Sequence, residues 1–228
     1  MPVATTSSKE QIILAAERLF AARGLDGVSM REIGAAAGNG NNSAVQYHFG
    51  SKDQLAQAIF EYRLPHIEAR RWSLVAERHP DDLRSWVECY VLPIQEQGEQ
   101  EGSHYLSFIA MLQQHGHADV FDRIPDEFQD STRIFLEQTA ALLPHLDEPL
   151  RTHRVTQALA YSVHAGAARE RARASGRDVL PYAVHVNDLL DGLAGFLLAP
   201  VSPAAAAALG DRAGRRAGRR AHGAPTSA

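Results

Sequence analysis

The sequence predicts an all-α protein. Apolar residues recur at three- and four-residue spacing along almost the whole chain, and no stretch alternates β-branched residues as a half-buried strand would. Serines, glycines and prolines punctuate these stripes where helices start and stop. With 228 residues, 45% of them apolar and 22% charged, the chain can bury a sizeable core, which excludes wholesale disorder and fibrous repeats.

Ile12, Ile13, Ala16, Leu19 and Phe20 form the first stripe. Ser7 with Glu10 opens it as a capping box, and Gly24 closes it. Ser29 with Glu32 repeats the box before Met30, Ile33 and Ala37, and this second helix stops at Gly38. Asn39, Gly40 and Asn41 tolerate positive φ and lead into a short run from Asn42 to Phe49. Ser51 with Gln54 makes a third box, and Leu55, Ile59 and Tyr62 carry the fourth stripe.

Longer helices are expected at 66–78, 82–97, 103–115, 126–143, 150–175 and 182–198, parted by Pro80, Gly98, a loop at 116–125, Pro144, Pro149 and Pro181. Connections this short favour antiparallel neighbours in a bundle. Pro65 is expected to kink or break the fourth helix, because its ring clashes with the carbonyl four residues back. Past about Ala204 disorder is expected, with at most a turn or two of helix over Ala204–Leu209.

Charge is unevenly distributed. Residues 211–228 hold Arg212, Arg215, Arg216, Arg219 and Arg220 against Asp211, a net of +4, so the whole-chain charge of −4 leaves −8 on residues 1–210. The single cysteine, Cys89, allows no intramolecular disulfide and no cysteine-rich zinc framework, so a reducing compartment, the cytoplasm, is expected. No signal-peptide pattern stands at the N-terminus, and no apolar run approaches a membrane span.

Three short helices with a tight Gly/Asn connection between the second and third match a helix-turn-helix, whose last helix enters the DNA major groove. The third run strengthens that reading. Asn41, Asn42, Ser43, Gln46, Tyr47 and His48 form a polar cluster without a carboxylate, and Asn and Gln can donate and accept together at an adenine edge. Val45 and Phe49, four apart, can face inward and leave the polar set outward. Lys52, in the first turn of the next helix, suits a phosphate. The bland alternative is a polar surface that does no more than face solvent. Residues 1–62 carry five bases and six acids, but no acid lies between Glu32 and Asp53, so the face in question is free of negative charge.

The stretch Ser29-Met-Arg-Glu-Ile-Gly-Ala-Ala-Ala-Gly38, followed by Ser43-Ala-Val-Gln-Tyr-His-Phe-Gly-Ser-Lys-Asp-Gln-Leu55, resembles the DNA-binding domain of the tetracycline-repressor (TetR) family of transcriptional regulators. Ala15 to Gly24 resembles that family's first helix. The resemblance covers roughly residues 8–62. It implies a helix-turn-helix domain at 8–62 and a helical bundle for ligand binding and dimerisation at 63–200, and composition adds a disordered basic tail at 201–228. Ser29 and Arg31 would approach the DNA backbone. Asn42, Ser43, Ala44 and Gln46 would face base edges or phosphates, and Tyr47, His48 and Lys52 would hold phosphates. The chain is one residue longer than usual between Gly38 and Phe49, so the third helix can start at Asn41, Asn42 or Ser43, and Gln46 stands where tyrosine is usual.

The resemblance further implies a dimeric repressor released from a palindromic operator when a small molecule binds the bundle. Candidate ligand contacts are Trp72, Trp86, Tyr90, His104, Tyr105, Phe108, Met111 and His115, with Gln114 as a further polar group. Candidate dimer contacts are Ala158, Ser162, Ala165 and Gly166 on one helix and Val186, Leu189, Leu190, Leu193, Phe196 and Leu197 on the next. No cofactor and no bound metal is expected. Two other classes compete. One is a metal-dependent enzyme using His115 and His117 with Asp119 or Asp122, although His residues two apart on a helix cannot converge. The other is a helical partner-binding module whose tail arginines bind nucleic acid without specificity.

Overall fold

The computed structural model describes residues 7–38 and 43–210, and for Ser43, Ala44 and Ala118 the backbone alone. The described chain is helical: α1 (Ser8–Arg23), α2 (Met30–Ala36), α3 (Ser43–Phe49), α4 (Lys52–Arg78), α5 (Leu83–Glu99), α6 (Tyr105–Gln114), α7 (Ala118–Phe121), α8 (Asp130–Leu142), α9 (Leu150–Ala174) and α10 (Tyr182–Leu198). A 3₁₀ turn, Asp126–Phe128, precedes α8, and a short helix, Pro203–Gly210, follows α10. The expectations placed on 39–42 and on 211–228 lie outside the described residues.

Local chemistry accounts for the early boundaries. Ser7 and Glu10 bond each other's backbone amides at the start of α1, and Ser29 and Glu32 do the same at α2. At α4 only half of the expected box forms: Ser51 Oγ accepts from the Gln54 amide at 3.1 Å. Gly24 and Gly50 have φ of 75° and 67° at the ends of α1 and α3, a region costly for any residue with a Cβ.

The expected break at Pro65 is absent, since α4 runs as one helix through it for 27 residues. A proline inside a helix loses one backbone bond and costs about 3 kcal/mol. Burial on both sides of it, by Leu55, Ile59, Phe60, Leu64, Ile67 and Leu74, outweighs that cost. Pro93 sits inside α5 in the same way, itself buried. A short helix, α7, occupies part of the 116–125 stretch read as loop, with Val120 buried.

Two apolar cores divide the interior. One joins α1–α4 (Ile12, Phe20, Ile33, Val45, Leu55, Ile59) to α6 and α9 (Tyr105, Phe108, Met111, Ala167). The other is built from the far half of α4 with α5, α8, α9 and α10, around Leu74, Val87, Phe135, Val155 and Leu190. The first core therefore does not stop at residue 62. At the junction α5, α6 and α9 pack closely: a Cβ on Gly166 would stand 2.3 Å from Leu106 Cδ1 and 2.6 Å from Gln95 Oε1.

Candidate DNA interface and its connection to the bundle

The third helix separates its side chains as the spacing requires. Val45 and Phe49 are 0% and 6% exposed, whereas Gln46 and His48 are exposed and Tyr47 is 86% exposed. Val45 packs beside Gly34 of α2, where an added Cβ would meet its Cγ2 at 3.2 Å, so the two helices of the motif lie close. Tyr47 and His48 meet edge-on at 5.3 Å between ring centroids. The Gln46 amide donates to the Gly50 carbonyl at 2.5 Å, so in the free protein Gln46 folds back along α3.

Around α3 the remaining candidates take different positions. Ser29 caps α2 and donates its hydroxyl to Glu32 at 2.7 Å, and Arg23 donates to the same carboxylate at 2.8 Å. The Ser29 amide and hydroxyl, helped by Arg23, hold the Glu32 carboxyl down at about 2. The one carboxylate in the second helix is thus occupied by its own cap. Arg31 is exposed. Lys52 Nζ donates to the Leu25 carbonyl at 2.8 Å in the free protein and lies 4.0 Å from Asp26. It ties the start of α4 to the turn after α1. Lys9 stands 5.9 Å over the Phe49 ring and shares a surface cleft with Tyr47 and His48. Asn41 and Asn42 lie outside the described residues, as do the side chains of Ser43 and Ala44, whose backbone opens α3.

The eight candidate ligand contacts do not converge. Trp72, Trp86 and Tyr90 wall one cavity between α4, α5 and α8, together with Arg71, Cys89 and Phe135. Tyr105, Phe108 and Met111 are 0–5% exposed in the first core. His104 precedes α6, half-buried, and desolvation lowers its pKa. His115 follows α6, where its Nδ1–H donates to the Met111 carbonyl at 2.9 Å. Gln114 lies 3.4 Å from the His164 ring. Among the described residues no group of three His, Cys, Asp or Glu side chains is arranged to hold a metal ion.

The ten candidate dimer contacts are mostly turned inward. Ala158, Ser162, Val186, Leu189, Leu190, Leu193 and Leu197 are 1–6% exposed within the chain itself, and Gly166 is buried against Leu106. Only Ala165, half-buried, and Phe196, 42% exposed, reach the surface. The reason is that α10 packs on both α5 and α9, which consumes its apolar stripe. The outer face of the same helices carries a groove of about 600 Å³ between Gln157, Ala160, Tyr161, Gly192 and Phe196.

Several buried charged residues were not singled out from the sequence. Glu17 of α1 accepts two hydrogen bonds from Arg63 of α4, each 2.9 Å, and a third from the His104 amide at 3.0 Å. Arg63 reaches Gln100, at the end of α5, at 3.1 Å. Glu170 of α9 accepts from the Leu106 and Ser107 amides at 3.0 and 2.7 Å. The N-terminus of α6 is thus held by one carboxylate from the helix-turn-helix side and one from the bundle. The available signal was position: Glu17 falls between Ile13 and Phe20, and Arg63 between Ile59 and Ile67, on stripes otherwise apolar.

Residues 12–59 match the family described as bacterial regulatory proteins, tetR family. No curated protein matches the chain. Among solved structures the chain is similar to the fatty acid degradation regulator FadR from Bacillus halodurans, at 16% identity and a TM-score of 0.54 over 86% of this chain and 97% of that one. It is also similar to a transcriptional regulator from Rhodococcus sp. Rha1, at 21% identity and a TM-score of 0.53 over 86% of this chain and 100% of that one. These likenesses show a shared fold.

Proposed function

We propose that this chain, whose residues 12–59 match the tetR family of bacterial regulatory proteins, is a dimeric repressor released from a palindromic operator by a small molecule bound in the bundle. The observation that carries the DNA-reading part is the division of α3, with Val45 and Phe49 buried and Gln46, Tyr47 and His48 exposed on a helix that itself holds no carboxylate. In this reading Gln46 leaves the Gly50 carbonyl to reach a base edge, and Tyr47, His48 and Arg31 contact bases or phosphates. Lys52 leaves the Leu25 carbonyl in the same way to hold a phosphate.

Pairing is assigned to the outer face of α9 and α10, where Tyr161, Val184, Phe196 and Leu198 are 42–62% exposed. Two copies related by a twofold axis would set their α3 helices in successive major grooves, about 34–36 Å apart. Switching follows from the clasp on α6. A ligand that favours one bundle packing displaces α6 or the far half of α4, and both are bonded through Glu17 and Arg63 to α1. A change of a few ångströms in the spacing of the two heads then weakens operator binding.

Selection of bound sequences from random DNA, followed by footprinting, tests the reading. The expected outcome is an inverted repeat whose half-site centres lie about one helical turn, or a whole number of turns, apart. Recovery of no sequence preference would leave a nonspecific binder and would sink the proposal. Truncation at Pro203 examines the rival in which the arginine tail does the binding: sequence-specific affinity is expected to survive it.

A further inference from the structure

Few cations near α3 are unbonded. Arg23 donates to Glu32, Lys52 to the Leu25 carbonyl, and Arg63 to Glu17. Arg18 is exposed on α1, but it follows Lys9 by nine residues, about two and a half turns, and so points to the opposite side of that helix. Its charge bears on His104, beside α6. Among the described residues around α3, that leaves two cations with neither an ion-pair partner nor a hydrogen-bond acceptor: Arg31 of α2 and Lys9 of α1.

Lys9 is placed by its neighbours. Its Nζ stands 5.9 Å from the Phe49 ring centroid, within reach of a cation–π contact, which sets an ammonium from the start of α1 beside the C-terminal end of α3. A surface cleft of about 460 Å³ opens there, lined by Lys9, Tyr47, His48 and Gln54, and farther along α4 by Glu61. Glu61 is the carboxylate on its wall, about 10 Å along the helix axis from Gln54. Lys9 belongs to the other end. It precedes Glu17 by about 12 Å of helix, and Gln54 precedes Arg63, the partner of Glu17, by about 13 Å, so Lys9 comes level with Gln54.

A helix lying in the major groove, about 12 Å wide, is bordered by the phosphates of both strands. At this end of the cleft the donors are the Lys9 ammonium, the Tyr47 hydroxyl, the His48 ring and the Gln54 amide. An ammonium acts as a point charge, which holds a phosphate without distinguishing one base from another. We propose that Lys9 is a phosphate anchor of the reading unit: beside Tyr47 and His48 it holds a backbone phosphate of the operator at the C-terminal end of α3, and it adds affinity without sequence preference. The assignment rests on the DNA-reading proposal above and adds to it a contact from the first helix. One 16-residue helix then carries both the anchor and Glu17 of the clasp, so a displacement of the clasp moves the anchor with it.

A lysine stem that only covers Phe49 needs no charge, so the two roles are separable. Lys9→Met keeps an unbranched stem and removes the ammonium, whereas Lys9→Arg keeps the charge. Lys9 is exposed, and both variants are expected to keep the thermal transition of the unmodified chain. The three full-length proteins would be titrated by fluorescence anisotropy at roughly 50 to 200 mM NaCl. The probes are the duplex recovered by selection from random DNA and a scrambled duplex of the same length and composition. Lys9→Met is expected to weaken binding to both by the same factor. It should also lower the slope of log K against log salt by about 0.9 per subunit, about 1.8 for a dimer, so that its deficit shrinks about twelvefold over that range. Lys9→Arg is expected to keep the slope.

A Lys9→Met slope equal to that of the unmodified chain overturns the assignment. So does a loss confined to the selected duplex, which would make Lys9 a support for α3, and so does a slope that falls as far in Lys9→Arg. The same titrations separate the two layers. Sequence preference in the unmodified chain with an unaltered Lys9→Met slope keeps the reading and removes the anchor. Equal affinity for the two duplexes with a slope that falls keeps the anchor and removes the reading.

Discussion

Arg63 and Glu17 face each other through two parallel hydrogen bonds of 2.9 Å, with side chains only 6% and 1% exposed. One residue belongs to α4 and the other to α1, forty-six positions apart. A pair this deep gains from its geometry roughly what it loses by leaving water, so its value lies less in net stability than in admitting few alternative arrangements. Here it locks the first helix of the reading unit to the helix that continues into the bundle, and the spare Glu17 bond to the His104 amide adds α6 to the lock.

Breaking one side of that pair is expected to be costly. Arg63→Met leaves Glu17 charged and buried, and should destabilise the fold by about 3–5 kcal/mol in urea unfolding. Replacing both, with Glu17→Leu and Arg63→Met, should recover most of the loss, leaving chiefly the unbonded His104 amide at about 1–3 kcal/mol. A double variant no more stable than the single one would mean that the two side chains are not energetically coupled.

Glu170 links stability to pH. Burial pushes its carboxyl up to about 7, against the pull of the Ser107 and Leu106 amides. A carboxyl raised above its unfolded value of about 4.3 favours the fold most when protonated, so its contribution is full below that value and fades as pH rises through 7. His104 and His185, lowered by burial, slope the other way. The informative quantity is therefore a difference. Wild type should lose urea-midpoint stability between about pH 5 and 8 relative to Glu170→Gln, and parallel pH profiles would contradict this.

At Gly166 the sequence suggested a small residue for a partner subunit, while the structure fills its missing side chain with Leu106 and Gln95. Gly166→Ala should cost about 1–3 kcal/mol by overpacking, and Leu106→Val in the same chain should return part of it. A substitution that left stability intact and dissociated the oligomer would restore the intersubunit role.

Tyr161 and Phe196 carry the pairing proposal. Both are exposed, so Tyr161→Lys with Phe196→Lys should change monomer stability by less than about 1 kcal/mol. Light scattering after size exclusion is expected to show a dimer for the wild type and a monomer for this variant. A wild-type monomer, or a variant that stays dimeric, removes α9 and α10 as the interface.

What could be read from the sequence depended on how local the cause was. Ser7 with Glu10 and Ser29 with Glu32 fix helix starts within four residues, and both boxes form as their spacing requires. The inward placement of Val45 and Phe49 follows from helical geometry alone. Causes that act across the chain were not legible. Nothing near Lys52 announces that its Nζ would bond the Leu25 carbonyl. Pro65 reads as a breaker because the sequence does not show that Leu64 and Ile67 are held by a common core. On α9 and α10 periodicity finds a stripe of small and apolar residues without saying whether it meets the same chain or another. The cavity at Trp72 was half legible: the aromatic residues stand out by type, whereas Arg71 looks like any helix arginine until Glu68, Ser131 and Tyr90 surround it.

The most direct measurement compares operator affinity by gel shift for three proteins: the unmodified chain, a Gln46→Ala/Tyr47→Ala variant, and the chain truncated at Pro203. Both substituted side chains are exposed and leave the core intact, so folding is expected to be unaffected. The account predicts a loss of at least about tenfold in specific binding for the substituted variant, given about 1–3 kcal/mol for each lost base contact, and near-normal specificity for the truncated chain. Specific binding that survived the substitutions and vanished with the tail would contradict it.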